Sequence, residues 1–140
     1  MSQINWGRVI LGGVLAGVII DASEFLINGV ILQKDWSASL AKLNLPDVST
    51  NAIINFNVIG LITGIAAVWL YASIRSRYGA GAMTAVKAGL AIWLVGFALP
   101  SAGEIGLGLA PQQTAMCAVG LAVVGIIIAS IAGAWVYKGQ

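Results

Sequence analysis

Four apolar stretches, at about residues 9–32, 52–74, 85–107 and 114–137, take up most of a 140-residue chain. Each is close to the ~20 residues an α-helix needs to cross the hydrocarbon core of a bilayer. Water is absent there, so every backbone N–H and C=O must be satisfied within the segment, and a helix does this without a partner. Hydrophobic residues make up 59% of the chain and charged residues 9%, with a mean hydropathy of +0.95, too few charges to keep a soluble domain dispersed. The expected fold is an all-α membrane protein, a four-transmembrane-helix bundle forming one membrane domain over residues 1–140. Only the connection at 33–51 has room for structure, so no separate catalytic domain is expected.

Four spans put both termini on one side. That side collects Arg8, Arg75, Arg77, Lys87 and Lys138, against Lys34 and Lys42 on the other, which favours cytoplasmic termini in a multi-pass protein of the inner (plasma) membrane. Trp6, Trp69, Tyr71, Tyr78, Trp135 and Tyr137 mark the inner boundary and Trp36 the outer one. The first segment is longer than the ~7–15-residue core of a signal peptide, carries two acids and ends without a small-x-small site, so a retained helix is expected. After it, Asp35 can cap a short helix with Trp36, Leu40 and Leu43 on one face, ending before Pro46 and lying on the outer surface. The net charge of +2 is too small to suggest nucleic acid.

The chemistry concentrates in the first span. Asp21, Glu24 and Asn28 are three and four residues apart, which places them on one helical face. Asp21 lies thirteen residues from Arg8, ~20 Å along a helix and somewhat beyond the midplane of a ~30 Å core. Asn55 and Asn57 in the second span, Glu104 in the third and Gln113 in the fourth stand in the same half. The pattern predicts a polar vestibule in the outer half above a dry inner half. Each intramembrane carboxylate costs ~2.5–3.5 kcal/mol on insertion, whereas each of the fourteen Val, Ile, Leu and Phe residues of the segment returns ~0.3–0.6 kcal/mol, so the span inserts with both acids. No Lys or Arg falls at their depth. Asp21 and Glu24 are therefore expected to titrate as a coupled pair, serving either as a proton or cation site or as an interhelix clamp bonded to Asn55, Asn57 or Gln113.

Small residues supply the packing faces that membrane helices need when lipid gives no hydrophobic drive between them. Gly13 and Gly17 continue the Asp21 face, Gly60 and Gly64 serve the second span, Gly89, Gly96 and Gly103 recur at sevenfold spacing in the third, and Gly125 and Gly133 serve the fourth. A weak internal echo relates the two halves: Arg8 and Lys87 open the odd spans, and Trp69-Leu70-Tyr71 and Trp135-Val136-Tyr137 close the even ones. It reads as two fused hairpins in parallel, with Glu104 as the counterpart of Glu24. Pro100 is expected to kink the third span and free a carbonyl near Gly96.

The chain has no histidine, which removes His-ligated haem, His metal sites and His general bases, and the lone Cys117 reads as packing. Neither a catalytic motif nor a phosphate-binding loop is present, so no enzyme, metal or cofactor is expected beyond bound lipid or detergent. Ile4-Asn5-Trp6, Trp93-Leu94-Val95-Gly96-Phe97 followed by Pro100, and Gly133-Ala134-Trp135 resemble a family of small bacterial four-span integral membrane proteins of unknown function. The resemblance implies a four-span fold and brings no catalytic residues. The expected role is a structural or accessory subunit of a homo-oligomeric or larger membrane assembly, with a proton- or cation-coupled transporter or channel using Asp21 and Glu24 as the alternative.

Overall fold

The computed structural model describes residues 3–137, which are helical and contain no strand. Four helical units are long and apolar enough to cross a membrane: Trp6–Ile31, Thr50–Tyr78, Ala82–Gly106 and Gln112–Val136. The first is α1 (Trp6–Glu24) continued by a π-helical segment Phe25–Ile31. Helix α2 (Gln33–Lys42) follows it, and α3 (Thr50–Tyr78) is the second span. The third is α4 (Ala82–Trp93), a π-helical segment Leu94–Ala98 and α5 (Leu99–Gly106); the fourth is α6 (Gln112–Val136). Asn5 caps α1 by accepting from the Arg8 N–H, and Ser49 caps α3 by accepting from the Ala52 N–H. Asn44, just past α2, adopts φ 57°, the left-handed conformation that ends many helices.

The two π segments arise from different causes. The Asn28 amide donates to the Glu24 carbonyl, the acceptor that an α-turn would give to the Asn28 N–H, and the Leu32 N–H donates five residues back to Ile27. In the third span Pro100 cannot donate and its ring crowds the preceding turn. There the Leu99 N–H donates to Leu94, five residues back. The expected proline kink is thus a widened turn ahead of Pro100.

Helix α1 packs along α3 and α6, and α4 packs along α6 and α3, while α3 and α6 meet across the short diagonal. Exchanging α1 with α4 and α3 with α6 leaves this pattern unchanged. The same exchange relates polar details. Tyr137 of the fourth unit accepts from the Asn5 N–H at the start of α1 (3.1 Å), Tyr71 accepts from the Gly81 N–H at the start of α4 (3.2 Å), and the two rings meet edge to face at 6.2 Å. Gly13 facing Gly64 corresponds to Gly89 facing Ser130. This is the geometry of two fused hairpins. Its register pairs Asn5 with Gly81, so Glu104 falls opposite Asn28 and not opposite Glu24 as the sequence echo suggested.

Helices approach closely where glycine leaves room. A Cβ at Gly13 would stand 2.5 Å from the Ile65 Cα, one at Gly12 would stand 2.5 Å from the Gly133 carbonyl oxygen, and Gly64 rests on the backbone of Gly13 and Gly17. Gly17 meets Leu61, and Gly133 meets Val68 and the Gly12 carbonyl. Gly96 departs from expectation: a Cβ there would meet nothing within 4 Å, and Gly103 is equally open. The π segment explains this, because one extra residue rotates all that follows by ~100° relative to Gly89.

The core lies toward the end carrying the termini, around Val9, Ile20, Val68 and Ile126 with Ala16, Ala67, Ala85, Ala88 and Ala129 between them. On α3 no residue before Gly60 is buried, and on the third span none after Gly89 is. The first and fourth spans, by contrast, retain buried residues up to Ile27 and Ala115. The bundle is closed at the terminal end and open at the loop end.

Gly81 begins α4 at φ 133°, a conformation that a side chain strains against. Gly81→Ala is expected to cost about 1–3 kcal/mol, whereas Gly96→Ala should change stability by less than about 0.5 kcal/mol, as read from denaturation in micelles by circular dichroism.

Candidate functional site

Asp21 sits where the closed part of the bundle gives way to the open part. Its carboxylate occupies the space that a Cβ at residue 60 would fill, and Gly60 is the buried residue of α3 nearest the loop end. One turn further on, Glu24 is half-buried. Its Oε2 accepts from the Asn28 amide at 2.8 Å, and the Asn28 Oδ1 in turn accepts from the Trp36 indole at 2.9 Å. Helix α2 packs on the Phe25–Ile31 segment, with Trp36 against the core, so this chain of bonds runs from a helix at the membrane surface to an intramembrane carboxylate. Ser37 donates to Asp47 at 2.8 Å and ties α2 to the loop that follows.

The two carboxylates are close enough to interact electrostatically, and no Lys or Arg side chain acts on either. The expected clamp partners are elsewhere. Among the described residues Asn55, Asn57 and Gln113 are exposed and make no hydrogen bond to Asp21 or Glu24. Glu104 is exposed on α5, which packs on α6 and on its own span but not on α1, and no three acidic or cysteine side chains gather among the described residues. The structure therefore brings together Asp21, Glu24 and Asn28 and leaves Asn55, Asn57 and Glu104 outside the cluster. It adds Trp36, read from the sequence only as a boundary marker, and Ser23, whose hydroxyl lies where a Cβ at Gly125 would be. Ser23 stands two residues from Asp21 on a different side of the helix, and only the α6 contact reveals its role.

The glycine bed under Asp21 is testable. Gly60→Ala should cost at least about 1 kcal/mol by pushing on the carboxylate, and Asp21→Ala should relieve it, giving a coupling of about 0.5–3 kcal/mol in a double-mutant cycle. Additive effects in micelle denaturation would remove the contact from the account.

The fold and the cluster define a membrane protein of four apolar helices with an unneutralised carboxylate pair at the foot of an opening. Compared with family models, with curated proteins and with solved structures, the chain finds no match in any of the three.

Proposed function

We propose that this protein takes up a proton or a small cation from the loop side of the membrane on Asp21 and Glu24. The observation that carries this reading is the absence of a clamp. The pair reaches across to no polar side chain of α3 or α6, and a carboxylate left at membrane depth without a counter-charge is costly unless a proton, cation or water supplies one. Only Glu24 has a side-chain partner, and that partner is a neutral amide that can bond either form of the acid. The opening toward the loop end gives access, and the closed core beyond Asp21 blocks passage in this conformation, as a gated site requires. Five basic residues against two favour cytoplasmic termini, which would place the opening outside an inner-membrane protein.

A second reading, a structural or accessory subunit of a homo-oligomer or larger membrane assembly, is favoured by the bare outer half of α3, where Asn55 and Asn57 lie exposed. The two are separated in reconstituted vesicles carrying a pH-sensitive dye. Proton or cation flux above that of empty vesicles, abolished by Asp21→Asn with Glu24→Gln, supports uptake. A flux-free protein that stays in a stable assembly when both acids are neutralised supports the subunit role.

A further inference from the structure

We infer that the terminal end of the bundle binds the phosphate headgroup of an anionic phospholipid, in a cavity bordered by Arg8 and Arg75. A cavity of about 230 Å³ opens there, lined by Gln3, Ile4, Asn5 and Tyr137. Two guanidinium groups flank its walls. Arg75, on α3, lies over the Tyr137 ring at 5.5 Å, and Arg8, in the first turn of α1, donates to the Val136 carbonyl at 3.2 Å. The Tyr137 hydroxyl and the Asn5 side chain are held by the α1 backbone, so the polar lining is fixed before anything binds. The site joins the start of α1 to the ends of α3 and α6, and the N-terminal end of α1 adds a favourable dipole for an anion.

A lipid phosphate fits this place better than a soluble one. Trp6, Trp69 and Trp135 are exposed around the same end, and tryptophan rings settle at headgroup level. All five Asp and Glu residues lie toward the other end, so no acidic side chain of the chain faces an incoming phosphate. An acyl chain anchored by its headgroup here can run along the exposed apolar surface of α1, where Ile10, Leu11, Val14 and Val18 face outward. The inference is independent of the carboxylate pair.

The test is native mass spectrometry of the full chain released from vesicles with equal phosphatidylglycerol and phosphatidylcholine. Phosphatidylglycerol adducts should predominate, and Arg8→Gln with Arg75→Gln should weaken them about tenfold or more. Arg8→Lys should retain most of the binding, which guards against a merely misfolded variant. Lys34→Gln with Lys42→Gln removes the same charge at the loop end and should leave the adducts intact. Equal retention of both lipids, or equal loss from the two double variants, would overturn the site. Displacement of the lipid by millimolar inorganic phosphate would overturn the lipid as its occupant.

Discussion

Gly64→Leu is expected to cost the bundle about 3 kcal/mol or more, enough to unfold much of the population in mild detergent. Gly64 rests against the backbone of Gly13 and Gly17, so an added side chain meets main chain and not a movable rotamer. Relief would require α1 and α3 to separate along the most extensive helix pair in the fold. Separation is not compensated in lipid, because the close backbone approach is itself the source of stability. Gly96→Leu, of the same volume, should be tolerated, since its side chain enters open space. Thermal or denaturant unfolding followed by circular dichroism separates the two; similar losses would mean that the third span packs through Gly96 after all.

The second large effect concerns the acids. Asp21→Asn is expected to reduce proton or cation flux by about tenfold or more, because it removes an ionisable group at the foot of the opening while preserving shape over Gly60. Glu24→Gln should reduce it as well and also disturb α2, since the Glu24 carboxylate accepts from Asn28 and Asn28 accepts from Trp36. Trp36→Phe removes only the indole donor and should cost about 0.5–1.5 kcal/mol of α2 anchoring, read as faster amide exchange over Gln33–Lys42 with flux largely retained. Full flux in both acid variants would move the function away from this pair.

Much of this was legible in the chain. Hydropathy over windows of ~20 residues marks the four spans because a bilayer forces each to satisfy its own backbone. The three- and four-residue spacing of Asp21, Glu24 and Asn28 reports a shared face, and the glycines below it identify that face as the packed one. What escaped were effects of single bonds on helical phase. The Asn28 amide competing for one carbonyl, and the widened turn before Pro100, each insert a residue into the winding; the second turns Gly96 and Gly103 away from the seam that holds Gly89. Depth alone could not say which outer-half polar residues converge, so Asn55, Asn57 and Glu104 shared a layer with Asp21 without sharing its cluster. The fused-hairpin echo, weak as sequence, is strong in space, because Tyr71 and Tyr137 each secure the start of the odd span they face.

The most direct measurement of the central claim is infrared difference spectroscopy of oriented vesicles after a pH jump on the loop side alone. The expected result is a carboxyl C=O band that grows on acidification from that side, is unmoved by a jump on the terminal side, and disappears in Asp21→Asn with Glu24→Gln. A band that survives in that variant, or that answers only to the terminal side, would contradict a site open toward the loops and closed toward the termini.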